Sequence, residues 1–268
     1  MVLEWVVEFD LKRSLAFPIL GGVESAYGNG KHETEKKRHK KGVKMKPRQR
    51  LGHATGPQGG CLELFEHDGA YTILWDGQIL MDSRTHTSEY QMGHLGLAPC
   101  EPGSAPRILI GGLGLGYTLK GVLEKASAQA VVEVVECVDT LVDWNQRFLQ
   151  DLNGPLLKDE RVSVTIGDVG HHLRQVDGGT YDVILLDVDN GPVAMVDVQN
   201  ASLYSLRGLQ AIGRALAEGG RVIFWSASQD AAFEQRLGKV GFKLEAVPAK
   251  RYPSAKRAAC ILYVADHD

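Results

Sequence analysis

The chain has no uninterrupted apolar run of about 18 residues, the length a helix needs to cross a lipid core, so nothing in its 268 residues is expected to span a membrane. It has few cysteines. Cys61, Cys100, Cys137 and Cys260 are widely dispersed, with no CxxC pair and no metal-ligand spacing to histidine. That pattern argues against both a disulfide framework and a zinc centre, so no metal is expected and a reducing cytoplasm is the simplest setting. Cys137 sits in an apolar run and reads as a small core residue. The opening Met1-Val2-Leu3-Glu4-Trp5 lacks the basic and apolar regions of a signal peptide.

A net charge near zero conceals an asymmetry. Of the formal charge of −3, the stretch Lys31 to Arg50 contributes +8, from ten Lys or Arg against Glu33 and Glu35, leaving −11 elsewhere. This stretch has no apolar period and cannot fold alone. As a nucleic-acid tether it would bind phosphates in a salt-dependent way. A solvated linker is preferred, because no aromatic residues interleave to stack on bases.

What the chain does contain is a strand that runs straight into glycines, Ile108-Leu109-Ile110-Gly111-Gly112-Leu113-Gly114-Leu115-Gly116. Gly112, Gly114 and Gly116 remove Cβ atoms where a nucleotide would touch main chain, and the following helix offers free N–H groups. A glycine loop alone is weak, since glycines also end buried strands. Further acids at successive strand ends strengthen it. Glu136 closes Val131 to Cys137, where a carboxylate can accept both ribose hydroxyls. Asp168 follows Val162 to Ile166, and with the Val169 N–H it could grip adenine. Asp187 opens the acid-rich turn Asp187-Val188-Asp189-Asn190-Gly191-Pro192 after Tyr181 to Leu186.

Around these points the chain divides into an N-terminal extension (1–24, with a possible strand at Trp5 to Leu11), a basic linker (25–52), a small antiparallel β domain (53–100) and a Rossmann-like nucleoside-binding domain (101–268). Asp68-Gly69 and Asp76-Gly77 between alternating segments are hairpin signals. After Pro106, five strands alternate with helices at roughly 117–126, 141–152, 170–175, 203–217 and 229–240, and Gly219-Gly220 is expected to close the fourth helix. The fifth strand runs from Arg221 to Trp225. Two tail segments, 243–247 and 259–265, add an antiparallel edge hairpin. The fold class is therefore α/β, a seven-stranded, mostly parallel, methyltransferase-like sheet preceded by a small β domain. His171-His172 reads as surface. Trp225 and Ser226 could wall an acceptor pocket, although Trp in an apolar strand is more often core.

GGLGLGYTLKGVLEK, VVECVDTLVDWNQRFL, RVSVTIGDVGHHL, YDVILLDVDNGP and ALAEGGRVIFWS resemble successive motifs of the spermidine synthase-like family of polyamine aminopropyltransferases. LWDGQILMDSRTHTSE is similar to the end of their N-terminal β domain. The resemblance implies a homodimeric transferase. Glu136 would hold the ribose of decarboxylated S-adenosylmethionine or of methylthioadenosine, and Asp168 would read its adenine. Asp187 would orient or deprotonate the attacking amine, with Asp189 a second amine contact and Asn190 at the second carboxylate of the family's acidic loop. Glu89 and Tyr90 fall in the segment that the family uses to hold a polyamine. Leu115 stands where the family carries an Asp for the aminopropyl amine. S-adenosylmethionine-dependent methyl transfer, with the same Glu136 and Asp168, is therefore a second reading, and nucleoside binding without turnover a third.

Overall fold

The computed structural model describes residues 47–56, 59–188 and 202–267. The expected strand at Trp5 to Leu11 and the loop residues Asp189 and Asn190 lie outside them. Four strands come first: β1 (Gln49–Thr55), β2 (Cys61–His67), β3 (Ala70–Trp75) and β4 (Gln78–Asp82), in that order in one antiparallel sheet. The Asp-Gly pairs form its two-residue turns, since His67 pairs with Ala70 and Trp75 with Gln78. Asp68 (φ 50°), Gly69 (φ 79°), Asp76 (φ 47°) and Gly77 (φ 77°) all occupy the left-handed region that a type I′ turn requires. β1 begins at Gln49, inside the stretch expected to be linker. Arg50, Gly52 and His53 interrupt its alternation, and the pairing with β2 shifts register between Arg50 and Gly52.

A helix that the sequence pattern does not announce follows, α1 (Thr87–Gly96). Its buried residues are Ser88, Met92, Gly93 and Gly96, so its inward stripe has helical period but is carried mostly by small residues. Beyond it come β5 (Arg107–Gly111), α2 (Tyr117–Lys125), β6 (Val131–Glu136), α3 (Asp139–Arg147), α4 (Gln150–Asn153), β7 (Val162–Ile166), α5 (Val169–Gln175) and β8 (Tyr181–Leu186). The described chain finishes with α6 (Leu206–Ala215), β9 (Leu216–Ser226), α7 (Ala231–Val240), β10 (Lys243–Ala249) and β11 (Cys260–Asp266). The large sheet has order β10-β11-β9-β8-β5-β6-β7. β5 to β9 are parallel, and β10 and β11 form the antiparallel edge.

Three local expectations are corrected. The helix expected over 141–152 is two helices, α3 and α4. Gly219-Gly220 does not cap α6, which ends at Ala215; buried Leu216 already pairs with Tyr181, and Gly219 (φ 72°) bends β9 through a register shift. Cys137 follows β6 and is exposed rather than in the core.

The central parallel strands β5 and β8 are buried on both faces, which explains their apolar runs, whereas the edge strand β7 leaves Ser163, Thr165 and Ile166 exposed. Ile108, Ile110, Val183 and Leu185 face α1 and α2, while Leu109, Ile184 and Leu186 face the opposite layer with Leu209, Ile212 and Phe233. On the first side the two helices approach through glycines. A Cβ on Gly121 would lie 2.5 Å from the Tyr90 carbonyl oxygen, and one on Gly93 would lie 2.7 Å from the Val122 nitrogen. That contact brings the first turns of α1 and α2 together at the C-terminal end of β8.

Candidate active site

The sheet reverses its winding between β5 and β8, the crevice where open α/β sheets bind ligands. Here β5 passes into the glycine loop. Gly112 (φ 90°) donates its N–H to Val135 O at 2.9 Å. A Cβ on it would sit 2.4 Å from the Asp187 carbonyl oxygen, so this glycine is what lets the ends of β5 and β8 meet. Gly114 (φ 52°) and Gly116 (φ 87°) turn the chain into α2, with Gly116 at its N-cap. Two buried asparagine amides pin the loop's carbonyls: Asn145 Nδ2 donates to Gly114 O (2.8 Å) and Asn153 Nδ2 to Leu115 O (2.6 Å). The Leu115 side chain is buried with Leu62, Leu64, Tyr71 and Ile73 of the small sheet.

Glu136, only 4% exposed, ties the loop to the next strand. Its carboxylate accepts from Leu113 N (2.7 Å) and Val138 N (2.9 Å), one bond to each oxygen. Each oxygen keeps acceptor capacity for a further donor such as a ribose hydroxyl. Asp168 is the N-cap of α5, its Oδ1 accepting from His171 N, with Arg174 3.8 Å away. Val169 is the first helical residue, so its N–H belongs to the unsatisfied first turn.

At the end of β8, Asp187 N donates to Gly111 O (3.0 Å) and Thr118 Oγ1 donates to Asp187 Oδ2 (3.1 Å). Loss of water around this carboxyl and the nearby Glu89 push its pKa up to about 7, against the smaller effect of the Thr118 bond. Glu89 is itself shifted upward, mainly by desolvation, although Ser88 Oγ donates to its Oε2 at 2.6 Å. Trp225 Nε1 in turn donates to Ser88 Oγ (3.1 Å), so Trp225, core by burial, also walls this corner. Two neighbouring carboxyls cannot both ionise cheaply, and such a pair is a natural seat for an amine.

Beside Glu89 and Asp82, the buried Tyr117 hydroxyl is pushed up to about 12 by desolvation and those acids. It donates to Ser83 O (3.0 Å), and its ring stacks on His86 with centroids 4.3 Å apart. Tyr90 is not brought into the cluster: its hydroxyl donates to Glu124 on α2, and its ring meets His94. His172 is part of a partly buried chain rather than plain surface, meeting the Tyr181 hydroxyl at 2.7 Å while that hydroxyl donates to Glu133 (2.7 Å). Sequence reading misses Thr118, Tyr117, Ser88, Asn145 and Asn153. Tyr117-Thr118 follows the glycine loop directly, and that adjacency was the available signal. Among the described residues no group of three His, Cys, Asp or Glu is placed to hold a metal, and no helix is long and apolar enough to cross a membrane.

The family model for the spermine/spermidine synthase domain matches residues 87–239, from α1 to the end of α7. The chain belongs to the spermine/spermidine synthase family. Among curated relatives it is 30% identical over 123 residues to putrescine N-methyltransferase 1 of Nicotiana tabacum, covering 45% of this chain and 31% of that protein. It is 31% identical over 163 residues to polyamine aminopropyltransferase 2 of Streptomyces coelicolor, covering 59% and 28%. The chain thus spans under half the length of these relatives. The fold matches that of the crystal structure of spermidine synthase from Thermotoga maritima, with TM-score 0.62, 18% identity, and 82% and 73% of the two chains covered.

Proposed function

We propose that the chain is a spermidine synthase-like transferase that binds an adenosyl sulfonium nucleoside and alkylates an amine, aminopropyl transfer from decarboxylated S-adenosylmethionine being the leading reaction. The observation that carries this reading is the juxtaposition of Asp187 and Glu89 at the end of β8, one strand from the glycine loop and two from Glu136. Glu136 would take the ribose hydroxyls, and Asp168 with the Val169 N–H would take the adenine edge. The nucleophile is a neutral amine nitrogen held against Asp187. Its lone pair forms the new C–N bond to the sulfonium-bound carbon as the C–S bond breaks. That bond's electrons go to sulfur, which leaves as neutral methylthioadenosine. The proton on nitrogen passes to Asp187, whose raised pKa suits a base near neutrality, and alignment supplies much of the remaining acceleration.

Methyl transfer from S-adenosylmethionine is the second reading, favoured by one observation. Leu115, at the family's arm-binding Asp position, is buried against the small sheet and offers the aminopropyl amine no charge. The putrescine N-methyltransferases among the relatives fit that alternative. Incubating the protein with each sulfonium nucleoside and an amine panel, and identifying the nucleoside product, separates the two. Methylthioadenosine as product supports aminopropyl transfer, and S-adenosylhomocysteine replaces it with methyl transfer.

A further inference from the structure

Arg251 is the second residue of the connection between β10 and β11, and its carbonyl accepts from Thr87 N (3.1 Å), which fixes it beside the first turn of α1. Its guanidinium carbon lies 5.9 Å from the centre of the Trp225 ring, within the range of a cation–π contact. Trp225 bonds Ser88, and Ser88 bonds Glu89. Cation, indole, hydroxyl and carboxyl therefore form one continuous wall. The Arg251 charge acts on both Glu89 and the buried Cys260 thiol, and Asp187 acts on that same thiol. Among the described residues no carboxylate forms an ion pair with Arg251, in contrast to Arg84, Arg161 and Arg221, which each hold one. Its charge is thus available to a ligand lying along the wall.

A polycation seated by one nitrogen on Asp187 and Glu89 would carry its next charge toward this guanidinium, where like charges repel. An amine bearing a carboxylate or similar anionic group would instead place that group against a planar, multidentate donor. We infer that the acceptor is an amine that also carries an anionic group, its nitrogen on Asp187 and Glu89 and its anion on Arg251, which makes Arg251 the residue that sets acceptor specificity. This rests on the proposed role of Asp187 and Glu89 as the amine seat.

The test is calorimetric binding to the full chain saturated with methylthioadenosine, comparing 3-aminopropanoate and 4-aminobutanoate with the diamines and monoamines of the same length. At least one aminocarboxylate binds about tenfold or more tighter than its matched diamine and monoamine, a difference well above calorimetric error. Arg251→Met erases that preference while leaving monoamine and methylthioadenosine affinities in place, and Arg251→Lys, which keeps a charge, retains part of it. Tighter binding of the diamine, or an aminocarboxylate affinity unmoved in Arg251→Met, overturns the inference. If methylthioadenosine binds and none of the amines do, the acceptor assignment fails while the nucleoside reading stands. If methylthioadenosine itself does not bind, the underlying functional reading fails and takes the inference with it.

Discussion

Replacing Glu136 with glutamine separates the backbone tether made by this buried carboxylate from the ribose contact proposed for it. The side chain now accepts from Leu113 N and Val138 N with a full negative charge. Glutamine keeps one carbonyl oxygen and turns an NH2 group toward the other backbone donor. One charge-assisted bond, about 1.5–3 kcal/mol, is lost, and the other falls to the weaker neutral kind. The total is about 3 kcal/mol, which for a domain of this size lowers the melting temperature by about 6–12 °C. Ligand binding provides the second readout. If Glu136 also holds the ribose, methylthioadenosine affinity falls by about ten- to a hundredfold beyond any folding effect, the equivalent of one further charge-assisted contact. Scanning calorimetry gives the first quantity and isothermal titration below the melting range gives the second. A variant that melts within about 1 °C of the parent refutes the tether. One that melts low yet binds methylthioadenosine as tightly as the parent moves the ribose elsewhere.

Asp187→Asn removes the proton acceptor while keeping the Thr118 contact sterically possible, so turnover should vanish and methylthioadenosine binding persist; measurable turnover would strip Asp187 of its role. In the parent, initial rates should climb as pH rises through about 7, where the Asp187 carboxyl loses its proton, and a rate flat across that interval would reject it as base. The same shift acts on stability. A carboxyl raised in the folded state keeps a proton that the unfolded chain releases near pH 4. Its stabilising contribution is therefore full below that pH and lost as pH rises through about 7. Urea midpoints of parent and Asp187→Asn should accordingly diverge in the variant's favour from pH 5 to pH 8, and parallel profiles would contradict the burial argument. Gly112→Ala places a Cβ 2.4 Å from the Asp187 carbonyl oxygen at φ 90°, and the backbone strain with the forced separation of β5 and β8 should cost about 3 kcal/mol or more. Near-parental denaturant stability would mean the strand ends tolerate separation.

The sheet was legible because its strands are extreme in composition. Arg107–Gly111 and Tyr181–Leu186 were bounded to the residue, since a parallel strand covered on both faces has little polar alternation to blur its ends; the half-exposed edge strand Val162–Ile166 was bounded to the residue as well. The Asp-Gly hairpins were legible for a local reason, the left-handed backbone of their turns. α1 was not, because a helix that buries serine and glycine against a close neighbour leaves no apolar stripe to count. The site divides along the same line. Acids at strand ends can be read one strand at a time, which brought Glu136, Asp168 and Asp187 into view. Bonds across long sequence separations cannot, so the Asn145 and Asn153 clamps on the glycine loop, the Thr118 bond to Asp187 and the chain from Trp225 through Ser88 to Glu89 emerged only in three dimensions. Tyr90 shows the converse: one residue from Glu89 in sequence, it is about 100° away around the helix and bonds Glu124.

The central claim is a site for an adenosyl sulfonium nucleoside with its reacting arm directed at Asp187. Calorimetric titration of the purified chain with decarboxylated S-adenosylmethionine, S-adenosylmethionine and methylthioadenosine tests it most directly. Saturable one-to-one binding with preference for the decarboxylated form is the expected result, and absence of binding by all three nucleosides would contradict the account.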